Sequence, residues 1–62
     1  MFSYAINKLD GSEVKVSDRY DKYYDAVLDS MLEADILEKK VYIIIFKMAR
    51  PMKCFYYQGV RV

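Results

Sequence analysis

Residues 41–46 read Val41-Tyr42-Ile43-Ile44-Ile45-Phe46, and this run decides the fold. It holds six apolar residues, four of them β-branched, without glycine or proline, which is the composition of a β-strand. A buried helical segment is the alternative, because so short an apolar run has no distinguishing period. Side chains alternate across a strand: one face carries Val41, Ile43 and Ile45, and the other carries Tyr42, Ile44 and Phe46. Both faces need cover, which predicts a central strand.

The N-terminal segment has the pattern of a β-hairpin over residues 2–8 and 13–16. Apolar and polar residues alternate in both segments, as they do in half-buried strands. Asp10-Gly11 lies between them, and this dipeptide favours a tight turn because glycine adopts positive φ without strain. Val14 and Val16 are expected to point inward.

A helix is predicted to follow, capped by the side chain of Ser17 or Asp18 and ending near Ala34. Its apolar residues recur at helical spacing: Tyr20, Tyr23, Tyr24, Val27, Leu28 and Met31. The three tyrosines of this stripe are expected to close the helix–sheet interface with their rings. Residues 35–40 would form the connection to the central strand, with Ile36 and Leu37 against the core.

The C-terminal third predicts two strands, one running from Val41 to about Met48 and one over residues 53–58. Residues 49–52 would form the turn between them, because Pro51 has no N–H to donate to a ladder. Gly59 would end the last strand, and residues 60–62 would form a short tail. The element order ββαββ predicts a single α+β domain over residues 1–62. It has two layers, one helix packed on a four-stranded, mostly antiparallel sheet of order 2-1-3-4.

The length and composition of the chain limit the ways in which it can be stabilised. Sixty-two residues bury only about 60% of their unfolded surface, which makes a lone domain marginal. One cysteine and no histidine exclude an internal disulfide and give no zinc-ligand spacing. Tight packing or association is therefore expected. Neither a leader segment nor an apolar run of membrane-spanning length is visible, so the sequence predicts a soluble, cytoplasmic protein without a membrane partner.

Charge is segregated along the chain although the net charge is only +1. Residues 17–38 hold seven acidic side chains against two basic ones, whereas residues 39–62 hold six basic side chains and no acidic one. Such segregation bears on partners and association more than on fold.

One helix covers only one face of a sheet, and neither alternate set of the last two strands is polar. An uncovered apolar face of this kind exceeds what soluble monomers usually expose. The sequence therefore predicts that a second copy or another protein covers it, unless a curled sheet and the tail close over it. The candidate sheet-face binding residues are aromatic and aliphatic: Tyr42, Ile44, Phe46, Phe55 and Tyr57.

A second candidate protein-binding surface is the acidic side of the helix. Its members recur every four residues: Asp21, Asp25, Asp29 and Glu33. This face could enter a basic groove and so compete with nucleic acid for an enzyme. A plain solvated face is the simpler interpretation, and it is also favoured over a carboxylate metal site.

Nucleic-acid binding is the main alternative function. Lys47, Arg50 and Lys53 lie among aromatic residues of the C-terminal hairpin, and aromatic rings with interleaved cations can stack bases and hold phosphates. The acidic helix would oppose a phosphate backbone.

Catalysis finds little support in the composition. Without histidine there is no imidazole base, the two glycines are too far apart for a phosphate-binding loop, and Cys54 in its apolar strand is expected to be an inert core thiol. We expect no cofactor, no metal, no catalytic residue and no small-molecule substrate. The sequence favours a non-enzymatic protein-binding module, a regulator or inhibitor of a larger protein and a candidate homodimer. Its size suits the stand-alone regulators that bacterial viruses encode.

Overall fold

The computed structural model describes residues 1–37 and 39–60, and it confirms the predicted class. One helix packs on a four-stranded antiparallel sheet whose strand order is β2-β1-β3-β4, the order expected from the sequence. The elements are β1 Phe2–Lys8, β2 Glu13–Val16, α1 Tyr23–Leu37, β3 Lys40–Lys47 and β4 Arg50–Gln58. Glu38 in the predicted connection, and Arg61 and Val62 of the predicted tail, lie outside the described residues.

The first hairpin is built as the sequence predicts. Gly11 adopts a φ of 93°, and its N–H donates to the carbonyl of Lys8 at 2.9 Å. The Asp10 carboxylate accepts hydrogen bonds from the N–H and the hydroxyl of Ser12 at 2.8 and 2.6 Å, and these bonds lower the pKa of Asp10. The backbone conformation of Gly11 and the side-chain hydrogen bonds of Asp10 therefore stabilise the same turn. The expected inward position of Val16 is wrong, because its side chain is 56% exposed.

The predicted start of the helix at Ser17 or Asp18 is wrong, because residues 17–20 continue along the outer edge of β1. The Ser17 hydroxyl accepts the N–H of Tyr4 at 2.8 Å, so it is not free to cap a helix. Tyr20 and Phe2 exchange two backbone hydrogen bonds, at 2.8 and 2.6 Å. The helix begins only at Tyr23 and extends to Leu37, three residues beyond the predicted end.

The turn between β3 and β4 is also shifted from the predicted residues 49–52. Lys47 pairs directly with Arg50, which leaves a two-residue connection. Met48 and Ala49 take φ values of 51° and 67°, as a type I′ hairpin turn requires. Pro51 instead pairs with Phe46 inside β4, next to a register shift. An edge strand tolerates proline there because its missing N–H need not serve a ladder.

The core joins large side chains of the sheet to small side chains of the helix. Tyr4, Ile6, Val41, Ile43 and Ile45 are 2% exposed or less, and α1 contributes three fully buried small residues. Those residues are Ala26, Ser30 and Ala34. The Ser30 hydroxyl donates to the carbonyl of Val27 at 2.6 Å, so the buried hydroxyl keeps a partner. Small side chains on the helix leave the space that the large ones on the sheet fill.

The chain makes a very close approach where β4 ends beside the last turns of α1. A β-carbon on Gly59 would lie 2.0 Å from the carbonyl oxygen of Ala34, so no other residue type fits. The Gly59 N–H donates to the carbonyl of Lys39 at 2.9 Å. Ile36, expected against the core, is 75% exposed, because α1 continues through it and turns its side chain outward.

The strained turn gives a first testable prediction. Ala49→Gly should raise the free energy of unfolding by about 0.5–1 kcal/mol, because an L-residue in the left-handed region carries a cost that glycine avoids. Thermal denaturation should show a Tm higher by roughly 2–8 °C. The matched control is Ala26→Gly in the helix interior, which should lower stability by about 1 kcal/mol or more. A loss of stability in both variants would contradict a strained turn.

The two glycines give a second prediction. Gly59→Ala should lower stability by about 2–3 kcal/mol, because the new methyl group meets main-chain atoms that no side-chain rotation can move. Gly11→Ala has open space around the added methyl group and should cost only about 1 kcal/mol of backbone strain. Urea denaturation of the two variants measures the difference. Equal losses would show that the approach at Gly59 is not tight.

Candidate protein-binding surface

The side of the sheet opposite α1 has no cover from any described residue, and we call it the open face. Alternation places Tyr42, Ile44 and Phe46 on it, since Val41, Ile43 and Ile45 pack in the core with the helix. The strand register then aligns side chains across the sheet. Val16, Ala5, Ile44 and Cys54 form one row over all four strands, and Asn7, Tyr42 and Tyr56 form the next.

The centre of the open face is apolar and its margin is polar. Tyr42 and Tyr56 are 40% and 49% exposed, and their rings meet edge to face with centroids 6.1 Å apart. Ile44 and Phe46 are half-buried beside them. We call the polar margin the polar rim; it consists of Ser3, Asn7, Glu13, Lys40 and Gln58. An apolar centre inside a polar rim is the usual anatomy of a protein–protein interface.

Two of the five predicted sheet-face residues do not lie on the open face. Phe55 pairs with Ile43 and Tyr57 with Val41, so both point toward the helix and pack on the core. The grouping of all five on one surface is therefore corrected. The cause is the register shift next to Pro51, because one extra residue in β4 reverses the side of the sheet that each later side chain faces. Their places on the open face are taken by Cys54 and Tyr56.

Cys54 is exposed, which corrects the expectation of a core thiol. It stands opposite Ile44 in the central row of the open face. Its neighbours shield it little because β4 is an edge strand. The thiol is therefore a natural reporter of whether the open face is covered.

Tyr57 connects the end of β4 to the helix. Its hydroxyl donates to the Asp35 carboxylate at 2.8 Å, and the N–H of Val60 donates to the same oxygen at 3.1 Å. The hydrogen bond to Asp35 and, secondarily, burial raise the pKa of the Tyr57 phenol. This anchor holds the chain that carries Gly59 against the helix.

The four acidic residues predicted as one helix face are only partly brought together. Asp21 precedes the helix, while Asp25 and Asp29 are exposed on α1. Glu33 forms an ion pair with Lys15 of β2 at 2.5 Å, and this contact raises the pKa of the lysine. Burial and the Asp29 carboxylate raise the pKa of Tyr20, so Asp29 also has a neighbour. Asp25 is exposed on the helix.

The basic residues of the alternative hypothesis lie away from the open face. Lys47 stands over the ring of Phe2 at 6.0 Å, and Phe2 contacts Tyr23 of the helix at 5.9 Å. Lys47 pairs with Arg50, and Lys53 pairs with Ile45, so all three cations share the helix side of the hairpin tip. Aromatic rings on the open face and cations on the other side do not form one base-stacking surface.

The helix carries a further apolar surface that sequence reasoning missed. Four residues at a spacing of four point away from the sheet, with exposures of 74%, 57%, 56% and 75%. We call them the outer ridge: Tyr24, Leu28, Leu32 and Ile36. The sequence places Tyr24 and Leu28 in the predicted buried stripe. The signal that could have corrected this is the parallel series of small residues at 26, 30 and 34, which fits a sheet more closely.

Three further findings concern metal sites, membrane-spanning helices and pockets within residues 1–37 and 39–60. No three acidic, cysteine or histidine side chains there come close enough to hold a metal ion. Within the same residues, no helix has the length and apolar character needed to cross a membrane. A shallow depression of about 320 Å³ at the N-terminus is lined by Met1, Phe2, Ser3, Arg19, Met48 and Ala49. It contains one charged side chain and no pair of groups suited to acid–base chemistry.

The anchor at Tyr57 gives a third prediction, on alkaline stability. The folded pKa of Tyr57 is raised above the value of about 10 in the unfolded chain, so its stabilising contribution is present below pH 10 and is lost as pH rises through the folded pKa. Tyr57→Phe should therefore be less stable than the natural protein at pH 8, and the difference should narrow at pH 11. Urea denaturation at the two pH values measures it. Tyr42→Phe, on the open face, is the control for removal of a phenol hydroxyl and should leave the free energy of unfolding at pH 8 nearly unchanged.

Comparison with known proteins finds no family model, no curated protein and no solved structure that matches this chain.

Proposed function

We propose that this chain is a small protein-binding module that acts by contact, as a regulator or inhibitor of a larger protein, rather than by catalysis. The observation that carries the proposal is the open face, an apolar surface inside a polar rim on the side of the sheet without a helix. Aromatic side chains are enriched at interface positions that contribute most of the binding energy. Tyr42 and Tyr56, in contact with each other at its centre, are the residues expected to contribute most.

The energetics of the open face favour a covered state. Complete burial of a large apolar side chain is worth about 1.5–3 kcal/mol, so a half-exposed one gains about half of that when covered. Tyr42, Tyr56 and Val16 are all 40–56% exposed. The free energy gained by covering all three would equal a substantial fraction of the folding stability expected of so small a domain.

The area of the open face limits the kind of interface. Four strands about 4.8 Å apart and about five residues along each give a surface on the order of 300 Å². That is the size of a functional patch on a monomer, but a standard interface buries about 800 Å² per partner. A specific partner therefore has to contact the polar rim or the outer edge of β4 as well.

A fourth prediction tests the proposal with a double variant of the open face. Tyr42→Ser with Tyr56→Ser should leave the fold intact, because both side chains are partly exposed, and should abolish association. If a second copy is the partner, sedimentation of the natural protein should show a dimer at high concentration that the double variant lacks. The reaction of Cys54 with a thiol reagent should slow as the dimer forms.

If the partner is another protein, affinity purification from nuclease-treated native cells should retain one with the natural chain and not with the double variant. Leu9→Ser is the matched control, because Leu9 is 51% exposed in the first turn, off the open face. A natural chain that stays monomeric and retains no protein sensitive to the double variant would contradict the proposal. So would salt-sensitive binding to a single-stranded oligonucleotide that is lost on replacing Lys47, Arg50 and Lys53.

A further inference from the structure

The outer ridge is a second uncovered surface, on the opposite side of the molecule from the open face. Its four large apolar side chains are more exposed than Tyr42 and Tyr56 of the open face. They do not serve the core, because Ala26, Ser30 and Ala34 already bury the inner side of α1. A spacing of four residues makes the ridge one of the rows along which helices pack against each other.

The rows beside the ridge are unlike each other. The row one residue later holds Asp25, Asp29 and Glu33. The row one residue earlier holds the half-buried Tyr23, Val27 and Met31 and ends in Asp35, which is bonded to Tyr57. The helix contains four acidic and no basic side chains. An incoming helix would thus meet an apolar groove on one side of the ridge and negative charge on the other.

This charge argues against a second copy as the occupant. Two copies of α1 packed antiparallel about a two-fold axis place the same flank of each helix side by side. The row of Asp25 and Asp29 would then face its own copy, with no basic side chain of either helix between them. Like charges in that position oppose association.

A membrane surface suits the ridge no better. Helices that lie on membranes combine an apolar face with lysine and arginine, because biological surfaces are anionic. The exposed flank of α1 carries negative charge instead, so an anionic membrane surface would repel it. The remaining occupant with matching chemistry is a helix whose apolar stripe is bordered by basic side chains.

We propose that the outer ridge docks a basic amphipathic helix of another protein. Leucine-sized side chains of the partner pack on both sides of Leu28 and Leu32, and its lysine or arginine side chains lie along Asp25 and Asp29. The 15 residues of α1 span about 22 Å, which provides contact over about four turns. The inference deepens the proposed protein-binding function by naming a partner class for a separate surface.

The fifth prediction uses a labelled Leu/Lys peptide of about 18 residues, long enough to be helical, with leucines at i, i+3, i+4 and i+7. Fluorescence anisotropy should show that it binds the full chain. Leu28→Gln with Leu32→Gln should weaken binding by about 10- to 100-fold. Asp25→Asn with Asp29→Asn should weaken it several-fold and flatten its salt dependence. Glutamine is a good helix former, and both leucines are more than half exposed, so circular dichroism should be unchanged.

Control peptides and a control variant test whether the binding is non-specific and whether it takes place at the open face. A Leu/Glu peptide of the same pattern, and a Leu/Lys peptide with its order scrambled, should bind at least tenfold more weakly. The double variant at Tyr42 and Tyr56 should bind the Leu/Lys peptide as tightly as the natural chain, so that either surface can fail alone.

Three results would overturn the proposal. The first is peptide binding that is absent or indifferent to the leucine substitutions. The second is binding of the chain to neutral phosphatidylcholine vesicles that those substitutions abolish, since the occupant would then be lipid. The third is self-association that they abolish, since the occupant would then be a second copy.

Discussion

The close packing of small helix residues on large sheet residues is the constraint on which the rest of the structure depends. Ala26, Ser30 and Ala34 let α1 lie directly on Ile43 and Ile45. Because that inner row lies so close to the sheet, the residues of the outer ridge on the opposite side of the helix have no place in the interface and point outward. The same closeness requires glycine at position 59, where the chain passes the helix backbone. The core and the exposed ridge are therefore two results of one packing arrangement.

The parts of the fold that sequence could predict are those with an unambiguous period. Alternation in β1 and β2, a glycine in their turn and the β-branched run of β3 predicted the strands, the class and the strand order. The phase of the helix could not be read, because apolar residues occupy two of its sides and hydrophobicity does not separate them. Its start could not be read either, because Ser17 serves a tertiary hydrogen bond to Tyr4 rather than the helix cap that its residue type favours.

The candidate site was predictable to the extent that the strand register was. Tyr42, Ile44 and Phe46 follow from alternation within one strand, and the structure places them together on the open face. The side chains of β4 depend on the turn that precedes it, and a turn of Met48 and Ala49 carries none of the usual residue signals. The register shift next to Pro51 is a second feature without a sequence signal, and a shift of one residue reverses every side chain after it. Without this shift Phe55 would lie opposite Tyr42 on the open face.

The two edges of the sheet differ in a way that bears on how the chain behaves at high concentration. Beyond β2, residues 17–20 complete the hydrogen bonding of β1, so that end is short and irregular. At the other end the nine residues of β4 present outward N–H and C=O groups to which no described strand is paired. Pro51 and Lys53 disfavour pairing of its first half with another strand, as such residues commonly do at sheet edges. The stretch that follows, Cys54 and the aromatic residues Phe55, Tyr56 and Tyr57, has no such residue. Growth of fibrils by strand addition would start at this end of the sheet. A bound partner that covers the edge of β4 would also prevent such aggregation.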